Sequence, residues 1–284
     1  MRLVRLGTAR DERPSIMFED GKAVDVTDYI GDFNPAFFAS DGIEELRKLL
    51  HGNPARALPI APIRFGPPVG QPGKIVCIGL NYADHAAESG ATIPLEPVVF
   101  FKASNTLIGP NDDVRIPRRS RKTDWEVELS VVIGRTCRYL NSDEEALAAI
   151  AGYMVCNDVS EREFQLERGG QWVKGKSCET FNPAGPWLVT PDEVGDVNRL
   201  DLWLDVNGQR RQTGTTSTMI FGVAEIIRYL SQFMVLDPGD IINTGTPSGV
   251  ALGTAGQPYL RPGDLVELGI TGLGVQRQRF ISAP

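Results

Sequence analysis

Apolar and polar residues follow two periods along the chain. Short runs that are continuously apolar or alternate with period two occupy residues 75–78, 98–101, 126–133, 187–189, 202–206, 241–243, 265–270 and 275–280. Each predicts a strand. Alternation over 1–6 and an apolar run at 15–18 predict two more. Asn207-Gly208 separates two strand-like runs by the two-residue turn that favours a hairpin. Three Pro-Gly pairs, at 72–73, 238–239 and 262–263, each open a strand. Helical spacing is rarer. It occurs at 43–50, at 219–233 through Ile220, Val223, Ile226, Ile227 and Leu230, and at 146–150 behind the capping box Ser142-Asp143-Glu144-Glu145. A stretch rich in proline and glycine, from Pro59 to Gly73, marks a linker. The expected organisation is a small N-terminal domain over 1–70 and a β-rich α+β domain over 71–284, with a closed or rolled sheet.

Composition changes this picture little but excludes several functions. Hydrophobic residues make up 42% and charged residues 23% of 284, the balance of a globular protein. A net charge of −7 opposes nucleic acid as a partner, because phosphate backbones need a basic surface. It leaves room for a small anionic substrate in a local cationic pocket. No apolar run approaches membrane-spanning length, and Met1-Arg2-Leu3-Val4-Arg5 turns polar too early for a signal peptide. The expected compartment is the cytoplasm. Cys77, Cys137, Cys156 and Cys178 are scattered, which fits free thiols.

Candidate chemistry begins with carboxylates. Trp125-Glu126-Val127-Glu128-Leu129 alternates with strand period, so Glu126 and Glu128 share one face. Two readings fit: a solvated acidic face, or a pair whose repulsion a hard divalent cation removes. Asp158 offers a third oxygen ligand, where the apolar run 153–156 turns into Asn157-Asp158-Val159-Ser160-Glu161-Arg162-Glu163-Phe164-Gln165. Ser160 and Glu163 have capping-box spacing, so a helix is expected there, with Arg162 and Gln165 on one face. A plain turn with a surface ion pair is the other reading. Only His51 and His85 are histidines and no cysteines are paired, which disfavours zinc; three carboxylates suit Mg²⁺ or Mn²⁺.

His85 and Glu88 are one helical turn apart, the spacing of a general base and its orienting carboxylate, or of an ordinary surface pair. Gly170–Ser177 matches the phosphate-loop pattern, but a charged segment precedes it and Pro183, Gly185 and Pro186 follow where a helix is required. Lys176 then remains as a cation for an anionic substrate, or as an exposed lysine. Thr244-Gly245-Thr246-Pro247-Ser248-Gly249 is a loop whose N–H groups suit a carboxylate, or simply a tight turn. The elbow of a serine hydrolase is absent.

Six segments in this order resemble the fumarylacetoacetate hydrolase family. They are Gly79-Leu80-Asn81-Tyr82 with His85 and Glu88, Phe100-Phe101-Lys102, Glu126-Val127-Glu128-Leu129, Asn157–Arg162 with Gln165, Gly175-Lys176-Ser177 and Thr244–Gly249. The resemblance implies a rolled mixed β-sheet domain and Mg²⁺ or Mn²⁺ on Glu126, Glu128 and Asp158. It implies His85 and Glu88 on a mobile lid, with Arg162, Gln165, Lys176 and Thr246 against substrate. It further implies a homodimer or higher homo-oligomer. The expected reaction is hydrolysis of a C–C bond in a 2,4-diketo acid, giving pyruvate and a second acid. Glu167-Arg168-Gly169-Gly170-Gln171-Trp172 is similar to the branch acting on 2,4-diketo-3-deoxy-L-rhamnonate or -fuconate, while Cys178-Glu179-Thr180-Phe181 departs from the family pattern. Ureidoglycolate lyase, isomerase and decarboxylase activities are the alternatives on the same scaffold.

Overall fold

A computed structural model describes residues 1–52, 58–59, 63–88, 90 and 92–284. Residues 60–62 of the proline-rich stretch and Ser89 beside the His85 segment lie outside the described residues.

The strands pair into two main sheets. The larger runs in the order Leu58–Pro59, Lys22–Asp25, Asp11–Met17, Arg2–Thr8, Asn182–Val189, Ile150–Asn157, Val127–Ile133, Ile241–Asn243, Ile75–Gly79, Val98–Lys102. It is mixed: Ile241–Asn243 lies parallel to Ile75–Gly79, while Val127–Ile133 is antiparallel to both of its neighbours. The smaller sheet orders Gln209–Thr215, Asp201–Val206, Leu265–Ile270, Gly274–Ser282 and Val114–Ile116. The Asn207-Gly208 hairpin forms, with Val206 opposite Gln209 and both turn residues at positive φ. Ser142 caps the helix Asp143–Ala148 by accepting from the Glu145 N–H. The mixed-sheet α+β architecture is the expected one.

Val127–Ile133 is the central strand, and all seven of its residues are buried. Val127, Leu129, Val131 and Ile133 face the core shared with the smaller sheet, beside Leu204, Val266, Leu268 and Phe280. Each such side chain contributes about 1.5–3 kcal/mol by leaving water. Val132 faces a second core built with Leu3, Ile16, Phe33, Ile75, Leu188 and Ile241. The described residues before position 70 therefore share both a sheet and a core with the rest of the chain. Their junction is the pairing of Arg2 with Val189 and Leu3 with Leu188. Among the described residues, no helix is long and apolar enough to cross a membrane.

Candidate metal centre and active site

Glu126, Glu128 and Ser130 lie on the Val132 face of the central strand, at its polar end. Antiparallel pairing places Glu128 opposite Cys156 and Val127 opposite Asn157. The chain then turns so that the Asp158 N–H donates to the Glu126 carbonyl at 2.9 Å. This register brings three acids from two strands to one point. One carboxylate oxygen from each of Glu126, Glu128 and Asp158 lies within 4.8 Å of the others, and all three residues are buried. The solvated-face reading of the Glu126–Glu128 pattern is thereby excluded.

Three buried cations surround these acids. Lys176 Nζ lies 2.5 Å from Glu126 Oε2 and 2.8 Å from Asp158 Oδ2. Lys102 Nζ contacts the other oxygen of Asp158. Arg162 reaches Glu126 Oε1 at 2.6 Å through Nη2 and Asp124 Oδ2 at 2.8 Å through Nε. Among the described residues Glu128 has no ion-pair partner, and it accepts the Gly245 N–H at 2.9 Å. The electrostatic outcome follows. Burial would raise Glu126, but Lys176 and Arg162 outweigh it and hold the carboxyl down at about 2. Burial, reinforced by Asp158 and Glu126, pushes Glu128 well above the usual range. Burial opposes the charge on Lys176, yet Asp158 and Glu126 hold it protonated.

This arrangement fits a divalent metal. All donors are oxygen, as Mg²⁺ and Mn²⁺ require. An ammonium already bridges two of the three carboxylates, so cationic charge belongs at this point. The third carboxylate is pushed toward its protonated form by burial and by its acidic neighbours, a cost that a metal's positive charge would remove.

The acids open into a cavity of about 220 Å³ lined by His85, Glu126, Glu128, Arg162, Gln165, Lys176 and Thr246, together with an apolar wall. Seven of the residues singled out from the sequence thus meet in one space. Asp158 joins them through the carboxylate cluster, and Glu88 stands behind His85, with Nδ1 to Oε2 at 3.6 Å. The helical turn Ala83–Glu88 is docked on the 244–249 loop. There the Gly249 N–H donates to Glu88 at 3.0 Å and Ser248 Oγ donates to Asp84 at 2.8 Å. The loop N–H groups do hold carboxylates, but those of the protein itself.

Gln165 is placed by its Oε1, which accepts from Arg162 Nη1 at 3.0 Å. Thr246 Oγ1 donates to the Val127 carbonyl at 2.9 Å and accepts from Gln212 Nε2 at 2.8 Å. The helical cap expected of Ser160 and Glu163 does not form. Ser160 Oγ donates to the Asp158 carbonyl at 3.1 Å, and Ser160–Glu161 instead pairs as a short strand with Thr123–Asp124. A wide helical turn, Glu163–Glu167, follows. After Gly175-Lys176-Ser177 the chain enters the strand Asn182–Val189, not a helix, so the phosphate-loop fold is absent.

Two buried groups escaped the sequence reading as site residues. Lys102, closing the apolar run 98–101, pairs with Asp158. Asp124 holds Arg162 and also accepts the N–H groups of Ala251 and Leu252, at 2.7 and 3.0 Å. A signal existed for Asp124, because it stands in period-two register with Glu126 and Glu128.

Comparison with known proteins places this geometry. Residues 74–281 match the family model described as fumarylacetoacetate (FAA) hydrolase C-terminal. A relative from Burkholderia multivorans, bearing the name "Putative hydrolase", is 52% identical over 281 residues, covering 98% of each chain. The crystal structure of a 5-carboxymethyl-2-hydroxymuconate delta-isomerase from Mycobacterium smegmatis is similar over 100% of both chains, with a TM-score of 0.78 and 31% identity. So is maleylpyruvate hydrolase from Sphingobium sp. SYK-6, solved with manganese(II) and pyruvate, with a TM-score of 0.83 and 28% identity over 100% of both chains. On its sequence, its fold and its buried carboxylate centre, the chain belongs to the fumarylacetoacetate hydrolase family.

Proposed function

We propose that this protein hydrolyses a C–C bond in a 2,4-diketo acid, releasing pyruvate and a second acid. The observation that carries the proposal is the placement of His85 on the same small cavity as the three clustered carboxylates. A divalent cation held by Glu126, Glu128 and Asp158 would supply Lewis-acid polarisation of the substrate's carboxylate and adjacent keto oxygen. Gln165 and Arg162 position that end of the substrate. Glu88 orients His85, and His85 takes a proton from water. The water oxygen bonds to the C4 carbonyl carbon, and Lys176 stabilises the oxyanion. The C3–C4 bond then breaks, its electron pair leaving on C3 as a pyruvate enolate. The proton from His85 returns to that carbon.

The turn Ala83–Glu88 acts as the lid in this account, docked here against the 244–249 loop. The protein works in the cytoplasm as a homodimer or larger homo-oligomer, with Mg²⁺ or Mn²⁺. The likeness of Glu167–Trp172 to the sugar-acid branch makes a rhamnonate- or fuconate-derived acid the competing substrate class, but of that run Trp172 alone lines the cavity. The similarity to the Mycobacterium smegmatis isomerase favours a second reading, proton transfer without cleavage on the same centre. The test is pyruvate release from acylpyruvates with Mn²⁺ or Mg²⁺ and with chelator. Pyruvate that requires the metal supports hydrolysis. Loss of substrate without pyruvate supports the isomerase reading.

A further inference from the structure

The cavity has two chemically different parts. The carboxylate cluster, His85, Gln165 and the cations form one. Apart from Thr246, the remainder of the lining is the apolar set Leu80, Phe100, Leu166, Trp172 and Leu252 with the strand end Ile78-Gly79. The cations of the lining are committed to the first part: Arg162 to Asp124 and Glu126, Lys176 to Glu126 and Asp158. The Thr246 hydroxyl is engaged as both donor and acceptor.

The apolar wall is built, not incidental. Trp172 meets Phe100 edge-on, with ring centroids 5.4 Å apart and planes at 61°. A side chain at position 79 would place its Cβ 2.6 Å from the Trp172 ring, so Gly79 makes room for the indole. Leu166 is 42% exposed and nevertheless lines the cavity, as an apolar residue kept at a wet rim. Of the run Glu167–Trp172, only Trp172 reaches the cavity; Arg168 is turned to Glu163 and the Phe164 ring.

We infer that this wall is a subsite for the acyl tail, selecting 2,4-diketo acids whose tail is uncharged and apolar, a short alkyl or aryl group. It disfavours those ending in a second carboxylate or a polyhydroxylated chain. The inference rests on the proposed diketo-acid reading. Lys176 borders the wall, with Nζ 5.0 Å from the Phe100 ring centroid, but is already shared by Glu126 and Asp158, so a second carboxylate here loses its water and gains no uncommitted cation among the described lining residues. Sugar hydroxyls lose hydrogen bonds to water that leucine, phenylalanine and tryptophan cannot return. Methylenes, by contrast, gain on the order of fourfold in affinity each when buried.

The test separates binding from cleavage. Calorimetry on the Mn²⁺-loaded protein compares 2-oxohexanoate with 2-oxoadipate, which are equal in carbon number, lack the 4-keto group and are not cleaved. The expected result is binding of 2-oxohexanoate at least tenfold tighter, with Leu166→Lys at the exposed rim reversing the order. Equal binding, absent binding of both, or tighter 2-oxoadipate in the unmodified protein overturns the subsite. A parallel assay compares pyruvate release from hexanoylpyruvate, maleylpyruvate and 2,4-diketo-3-deoxyrhamnonate. No pyruvate from any of them, with the oxo-acid preference intact, removes the hydrolase reading and leaves the subsite. Faster release from maleylpyruvate or the sugar acid removes the subsite and leaves the hydrolase.

Discussion

Lys176 Nζ lies 2.5 Å from Glu126 Oε2 while the same nitrogen lies 2.8 Å from Asp158 Oδ2. One ammonium thus bridges two carboxylates of a buried cluster. Removing a partner from a buried ion pair costs about 3–5 kcal/mol, because the remaining charges lose their compensation. Lys176→Met is expected to destabilise the metal-free protein by about that amount, seen as a lower thermal midpoint. Saturating Mn²⁺ should restore most of the loss, since the metal supplies positive charge at the same carboxylates. Thermal melts of both proteins, with and without Mn²⁺, check this; an equal deficit in the two conditions would count against a shared site.

Protonation of Glu128 should couple metal binding to pH. Its carboxyl is raised well above 4.5 by burial and by Asp158 and Glu126. The shift therefore favours the metal-free fold fully below about pH 4.5, and that contribution is lost as pH rises through the raised value. Glu126 has the opposite sign: held at about 2, its contribution is present above 4.5 and lost as pH falls toward 2. Below that raised value, binding a cation must expel the Glu128 proton, so metal affinity should climb with pH up to it. Calorimetric titration in buffers of different ionisation enthalpy should report close to one proton released. Zero release would mean that Glu128 is already ionised.

His85 lines the cavity and acts electrostatically on Glu126, but the candidate ligand cluster among the described residues is Glu126, Glu128 and Asp158. His85→Ala should lower kcat by about 10²–10⁴-fold, the usual contribution of a positioned base, and leave the metal titration unchanged. Glu126→Gln should do the reverse first, weakening metal binding. A His85→Ala protein with full turnover would remove the proposed base.

Gly175 explains the phosphate-loop look-alike. A Cβ there would lie 2.4 Å from the Glu161 carbonyl oxygen and 2.6 Å from Gln165 Cβ. The glycine lets the turn bearing Lys176 press against the segment bearing Gln165. Gly175→Ala should cost about 1–3 kcal/mol by overpacking, seen as a lower denaturation midpoint. It should also raise KM, by displacing Gln165. ATP should bind to neither protein.

The strands were legible because most are short, apolar and bounded by turn residues, as at Ile75–Gly79 between Pro72-Gly73 and Asn81. The carboxylate pair was legible as a pattern, but its burial was not. Period-two alternation usually marks a half-exposed strand, whereas here the neighbouring strands and both cores cover Val127–Ile133 on each face. Ser160 misled because its hydroxyl bonds backward to Asp158, a choice set by the pairing of Ser160–Glu161 with Thr123–Asp124, some 36 residues away by the Asp124–Ser160 register. Lys102 was invisible as a site group for a similar reason. A lysine ending an apolar strand looks solvated until the strand's position beside Asp158 is known.

Hydrolysis itself is tested most directly by cleaving an acylpyruvate in H₂¹⁸O with the Mn²⁺-loaded protein and weighing the products. The account predicts one ¹⁸O atom newly bonded in the carboxylate of the released acyl acid, in step with pyruvate. Substrate converted to a product of unchanged mass, or to carbon dioxide and a ketone, would contradict it.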